Sequence, residues 1–143
     1  MPKYNARDVE FQIEDPATPG TWVGIGGINT FTKSHEEEVA DTTTFGSQGE
    51  AESEKMQKSK TMVLEGFRLR NPADPGQVLV ETLHERLAED SLGGFRFAHK
   101  DDTDWEVWTA HVNLGDQGGG NNDKTSWSAT FTRSGANTTV AKA

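Results

Sequence analysis

The N-terminal part of the chain alternates apolar and polar residues with a period of two. Val9, Phe11 and Ile13 are apolar, and the residues on either side of each are polar. This alternation predicts a half-buried β-strand with an acidic outer face. The polar positions of that face are Asp8, Glu10, Gln12 and Glu14.

Glycines interrupt the next apolar stretch, which runs from Thr21 to Thr32 and also has strand character. Gly24, Gly26 and Gly27 carry no side chain, which indicates a bulge or the close approach of another backbone segment. We therefore expect tight packing around these glycines.

Further strands are predicted in the middle and at the end of the chain. One covers Lys60 to Arg70, with Val63, Phe67 and Leu69 on one face. Two more strands are predicted around Phe95 and Phe97 and over Trp105 to Val112, and Trp127, Ala129 and Phe131 mark the last one. The polar positions of that last strand are Ser126, Ser128 and Thr130.

A single amphipathic helix is predicted over about residues 75–90. Asp74 suits the N-cap, Pro75 suits the first helical position, and Gln77 completes a capping box. The apolar residues that follow at helical spacing are Val80, Leu83 and Leu87.

Residues 33–59 lack regular apolar patterning, and we expect a long loop there. The predicted fold is therefore mainly β, a β-sandwich or open barrel with one flanking helix and this loop. Residues 1–135 are expected to form a single domain, and residues 136–143, which are small and polar, a flexible C-terminal tail.

Charge is concentrated in the predicted loop. The chain has 143 residues and a formal net charge of −9, and residues 34–58 hold seven acids against Lys55 and Lys58. An acidic protein does not bind the phosphate backbone of nucleic acids. An acidic surface can nevertheless face DNA that has to move past it without binding. The alternative is a solvated loop whose charge only keeps the protein soluble.

The sequence offers no credible active site, so we predict a non-enzymatic protein without cofactor or metal. Cysteine is absent, which excludes disulfides and thiolate zinc sites, and the four histidines are scattered. Residues 116–123 are rich in oxygen ligands but match no calcium loop, so a flexible connector is the favoured interpretation. The N-terminus lacks a signal-peptide core and no apolar run exceeds three residues, so we expect a cytoplasmic protein outside membranes.

Several segments, in this order, resemble the tail tube proteins of siphophages. They are Thr21–Ile28, Asp41–Ser47, Thr61–Phe67, Pro72–Gln77 and Trp127–Gly135. The resemblance implies a β-sandwich with one flanking helix. It also implies hexameric rings that stack into a tube, with a shared β-barrel lining a channel for double-stranded DNA. Tube proteins of contractile tails and secretion systems share this architecture and remain alternatives.

The resemblance also implies sites and partners. The long loop would reach neighbouring subunits through Asp41, Thr43, Phe45, Gly46, Glu50, Glu52, Glu54, Lys55 and Lys58. The channel would be lined either by Asp8, Glu10, Gln12 and Glu14 or by Ser126, Ser128 and Thr130, although either set could form the outer surface of the tail.

Expected partners are further copies of the chain, the tail tip or baseplate, the tape measure and tail terminator proteins, and DNA that passes without sequence-specific binding. The protein would be part of the virion tail, assembled in the host cytoplasm. The alternative function is a carbohydrate-binding β-module, with stacking platforms supplied by Trp22, Trp105, Trp108 and Trp127.

Overall fold

The computed structural model describes residues 5–70, 72–121 and 124–142. Within them the chain forms eight strands, one α-helix and three short 3-10 helices. The strands are β1 (Val9–Glu14), β2 (Trp22–Gly24), β3 (Ile28–Asp41), β4 (Ser53–Phe67), β5 (Gly93–His99), β6 (Asp104–Leu114), β7 (Ser126–Arg133) and β8 (Thr138–Ala141). The α-helix, α1, is Pro75–His84, and the 3-10 helices are Ala6–Asp8, Phe45–Ser47 and Ala88–Ser91.

All eight strands belong to one antiparallel sheet: seven follow the order β2-β1-β5-β6-β7-β4-β3, and β8 pairs with β6 outside this order. The sheet curls, so that β1 and β3 face each other although they are distant in that order: the ring centroids of Phe11 and Phe31 are 5.3 Å apart. The prediction of a mainly β fold with one helix is confirmed, and of the two predicted architectures the open barrel is the one found.

Large aromatic side chains fill the barrel. Phe95 of β5 and Phe131 of β7 stack with their ring centroids 4.1 Å apart. Ala110 lies on the intervening strand β6, and its small side chain lets the two rings meet across that strand. Trp108 and Trp127 are also almost completely buried, so the core holds most of the large apolar side chains.

The inner face of β4 is the one opposite to the apolar face that we expected. Met62 and Leu64 are buried, whereas Phe67 is 43% exposed on the outer face. The strand pattern was ambiguous because both faces of β4 carry apolar residues. The outer apolar residues are therefore available to another surface.

Helix α1 covers one end of the barrel. Val80 and Leu83 are buried on it, as predicted. The helix ends at His84 rather than near residue 90, and Leu87 lies outside it, 84% exposed. Ala88 has a φ of 56°, a left-handed conformation that interrupts a helix.

Within the expected flexible tail of residues 136–143, the structure has a strand, Thr138–Ala141. Strand β8 pairs with Asp104–Val107 of β6, in line with β7, which pairs further along the same edge. Gly135, with a φ of 78°, lies in the turn between β7 and β8. Backbone hydrogen bonds hold β8 in place, which an apolar pattern cannot reveal.

The prediction of a long loop over residues 33–59 is largely wrong. Strands β3 and β4 run through most of it as one long antiparallel hairpin, and only residues 42–52 lie between the strands. Residues 53–58 of β4 are exposed on both faces. An apolar alternation requires a buried face, so these strands leave no such signal in the sequence.

Candidate assembly surfaces

The hairpin of β3 and β4 extends beyond the barrel as an arm, which we define as residues 35–60. Strand β7 pairs with β4 only over residues 61–67, and in the described chain β3 has no second neighbour. The arm is therefore a two-stranded ribbon. Such ribbons are marginally stable in water unless another element covers them.

The arm exposes apolar side chains and many unpaired acids. Phe45 at its tip is fully exposed, Met56 is 63% exposed and Val39 is 53% exposed. Within the described residues, Glu37 is the arm's one acid in an ion pair, with its carboxylate 2.6 Å from Lys55 Nζ. A surface of this kind is typical of a segment that contacts another molecule.

Local hydrogen bonds close the tip of the arm. The Thr42 N–H donates to the Glu52 carbonyl at 3.0 Å, and the Glu52 N–H donates to Thr43 Oγ1 at 2.8 Å. The side-chain and backbone hydrogen bonds from Thr43 lower the pKa of Asp41 below its ordinary value. The conformation of the tip is thus determined by hydrogen bonds among its own polar groups rather than by a hydrophobic core.

The residues predicted to contact neighbouring subunits all lie in the arm. Asp41 ends β3, and Glu54, Lys55 and Lys58 belong to β4 rather than to a loop. The connection between the strands carries the others, which are Thr43, Phe45, Gly46, Glu50 and Glu52. Their role between subunits stays a prediction.

Glu106 of β6 fixes the base of the arm. Its carboxylate accepts a hydrogen bond from Trp108 Nε1 at 2.7 Å and lies 3.4 Å from Lys33 Nζ and 3.9 Å from Lys60 Nζ. Lys33 is on β3 and Lys60 is on β4, so one carboxylate holds both strands where they leave the barrel. This contact could not be predicted from the sequence, because the three charges are far apart along the chain.

Both candidate channel faces lie on the outer face of the sheet. Glu10, Gln12 and Glu14 alternate with buried residues of β1, and Ser126, Ser128 and Thr130 do so on β7. Asp8 is not on this face: it belongs to the 3-10 helix Ala6–Asp8, and its carboxylate lies 3.6 Å from Lys100 Nζ. The period of two ends at Val9, where β1 begins.

Arg96 is a cation in the middle of this outer face, and Lys142 Nζ lies nearby, 4.9 Å from the ring centroid of Trp105. Its guanidinium lies 4.4 Å from the ring centroids of both Trp22 and Trp105, and its Nε donates to Gln12 Oε1 at 2.7 Å. Burial lowers the pKa of Arg96. The stacking holds the guanidinium close to the sheet, so the positive charge projects little beyond the outer face.

The N-terminus of α1 clamps the turn between β2 and β3 onto the end of β4. The fully buried Gln77 donates from Nε2 to the carbonyls of Gly26 and Phe67, at 3.0 and 2.8 Å. Its Oε1 accepts from the Leu69 N–H at 3.0 Å. A Cβ on Gly66 would overlap the Gly27 carbonyl oxygen, which confirms the close backbone approach predicted at these glycines.

The described residues offer little for the alternative functions. They contain no group of three His, Cys, Asp or Glu side chains that could hold a metal ion. In the candidate cation loop 116–123, Asn122 and Asp123 lie outside the described residues. Trp105, Trp108 and Trp127 are buried, so their rings cannot serve as sugar platforms. None of the described helices is long and apolar enough to cross a membrane.

Comparison with known proteins gives matches in structure but not in sequence. The chain matches no protein-family model and no curated protein. It is similar to a chain in the tail of an empty gene transfer agent particle with C6 symmetry, with a TM-score of 0.76 and 18% identity over 97% of this chain and 100% of that one.

Two further solved structures are similar. A chain of the SPP1 tail tube gives a TM-score of 0.74 at 12% identity, covering 98% of this chain and 80% of that one. A chain of the anti-feeding prophage baseplate gives 0.65 at 13% identity, covering 99% and 97%. At these identities the likeness shows the fold alone, which this chain shares with the chain of the SPP1 tail tube.

Proposed function

We propose that this chain is the structural subunit of a hollow tail tube, assembled from stacked hexameric rings through which double-stranded DNA leaves the virion. One observation carries the proposal: a barrel with the tail tube fold extends a two-stranded arm that has no partner in the described chain. Such a ribbon adds little to the stability of a monomer, whereas contacts in an assembly can order it.

The open edges of the sheet also favour a ring. Strand β3 presents 14 residues at one edge, while only the three-residue strand β2 covers the other. Long exposed edges promote aggregation unless they are paired or covered. A head-to-tail ring would place the β3 edge of each subunit against its neighbour and close the series by rotation.

The outer face of the sheet lines the channel in this proposal. Its β1 part carries Glu10 and Glu14, and its β7 part is neutral. Arg96 is held between two indole rings, and the ammonium of Lys142 on the same Trp105 ring donates to the His99 carbonyl at 2.9 Å. Such a face repels the DNA phosphates or has no net attraction for them, so DNA can move along it. An exposed lysine repeated in every ring would instead slow the DNA.

The channel face is tested by changing Glu10 and Glu14 to lysine. We expect virions that assemble but release DNA more slowly, and high salt should restore the rate because screening weakens the attraction. Ejection measured at low and high salt gives the answer. Unchanged ejection at both would place this face on the outside of the tail.

The tube of a contractile tail or secretion system, which need not carry DNA, is the second candidate, because the chain is also similar in fold to a chain of the anti-feeding prophage baseplate. Both candidates predict the same polymer, with a tail tip or baseplate, a tape measure and a terminator protein as partners. Nucleic acid in purified native particles would distinguish the two.

Electron microscopy of the purified protein tests the function itself. A concentration series, with and without a tail-tip seed, should give sixfold rings or hollow tubes. A strict monomer under all these conditions would rule out the tube.

A further inference from the structure

The two ends of strand β4 carry surfaces of opposite character. At the start of β4 lies the tip of the arm, where the fully exposed Phe45 is surrounded in sequence by Asp41, Glu50, Glu52 and Glu54. Within the described chain no ion pair neutralises any of these four acids. The tip is thus both apolar and strongly acidic.

The opposite end of β4 carries a basic and apolar surface. We call it the ledge and define it as Phe67, Leu69, Arg70 and Lys124. Phe67 is 43% exposed and Leu69 is 37% exposed. The hydrogen bond from the Arg68 N–H to the Thr125 carbonyl, 3.1 Å long, brings the segment of Leu69 and Arg70 beside that of Lys124.

The cations of the ledge are available to a partner. Arg68 next to them is already neutralised, with its Nε 2.8 Å from Glu81 Oε1. Arg70 and Lys124 are exposed and make no ion pair with the described residues. The ledge therefore complements the tip in both charge and apolar character.

We propose that the acidic tip of the arm in one copy of this chain binds the basic ledge of a second copy stacked along the strand direction. This inference rests on the proposed function. Strand β4 has 15 residues. At about 3.3 Å per residue it separates the two surfaces by roughly 46 Å.

That separation excludes contact within one molecule, because β4 is a continuous strand and cannot fold back on itself. The contact therefore joins different surfaces of two copies, and each bound copy offers a free tip and a free ledge. Such a head-to-tail contact propagates without limit along its axis, which is the geometry needed to stack rings into a tube. Glu106, through Lys33 and Lys60, sets the direction in which the tip is presented.

Charge reversal tests the contact in the full-length protein. The ledge variant is Arg70→Glu with Lys124→Glu, and the tip variant is Glu50→Lys with Glu52→Lys. Each turns attraction into repulsion, so we expect the concentration needed for tubes to rise at least about tenfold in either variant. A protein that carries all four changes restores the attraction with inverted signs and should assemble near the wild-type concentration.

The matched control is Arg7→Glu with Lys100→Glu. It changes the charge by the same amount at exposed positions next to Asp8, at the end of the barrel opposite the ledge. We expect it to assemble as the wild type does. Sedimentation and electron microscopy provide the readout for all variants, and circular dichroism shows that each one folds.

The possible results separate this inference from the proposed function. Wild-type tubes together with normal assembly of the ledge and tip variants would overturn the tip–ledge contact alone. Loss of assembly in both variants without rescue by the four changes would also overturn it. A wild-type protein that remains monomeric even with a seed would overturn both the contact and the tube.

Discussion

The arm consists of β3 and β4 alone, and the same two strands continue into the barrel, where they are stabilised differently. Inside the barrel β4 buries Met62 and Leu64 almost completely, whereas residues 53–58 of the same strand are exposed on both faces. The barrel part is stabilised by its own core. The arm part is held by backbone pairing, local hydrogen bonds and surface ion pairs instead of a core, so its order depends on what it contacts.

A pair of phenylalanines provides the strongest test of this contrast. Phe131 is completely buried and Phe45 is fully exposed. Phe131→Ala should lower the free energy of unfolding by about 3–5 kcal/mol, because it leaves a cavity in the core. Phe45→Ala should change it by less than about 0.5 kcal/mol. Chemical denaturation measures both values, and equal losses would contradict the division into barrel and arm.

A pair of glutamines gives the next largest effect. Gln77→Leu removes a buried amide that bridges Gly26, Phe67 and Leu69, and leaves their backbone groups without partners. Each orphaned group costs about 1–3 kcal/mol, so we expect a total loss of at least about 3 kcal/mol. Gln57→Leu on the exposed arm is the matched control and should be nearly neutral. Thermal melting compares the two, and a neutral Gln77→Leu would show that the clamp is unimportant.

Trimming the arm should have the smallest effect on stability. Glu36 and Ser59 are cross-strand partners, so an Asn-Gly turn can replace residues 37–58 between them. The free energy of unfolding should change by less than about 1 kcal/mol, since no buried core residue is lost. Tube formation should disappear. Normal tubes from the trimmed protein would show that the arm has no role in assembly.

Much of the barrel could be predicted from the sequence, because a buried face imposes a period on it. The alternation around Phe11 and Ile13 gave β1, and the capping residues Asp74 and Gln77 gave the start of α1. Of the two hydrogen bonds that a capping box predicts, the one from the Gln77 N–H to Asp74 Oδ2 forms, 3.0 Å long, whereas the Gln77 side chain bonds the distant backbone of Gly26, Phe67 and Leu69 instead. Local chemistry determines these elements, so local patterns reveal them.

The arm and the contacts between distant segments could not be predicted in this way. Residues 35–41 and 53–60 form strands without a buried face, so their sequence resembles that of a loop. The contact of Glu106 with Lys33 and Lys60 depends on which strands become neighbours. Strand β8 depends on backbone pairing with β6, to which its small side chains give no clue.

Hydrogen exchange tests most directly whether the arm is an assembly element that is incomplete on its own. Amide exchange would be followed in unassembled protein and in tubes, comparing peptides from residues 35–60 with peptides from β6 and β7. We predict that the arm exchanges rapidly in the free protein and becomes strongly protected in tubes, while the core strands are protected in both states. Equal exchange of the arm before and after assembly would contradict the account.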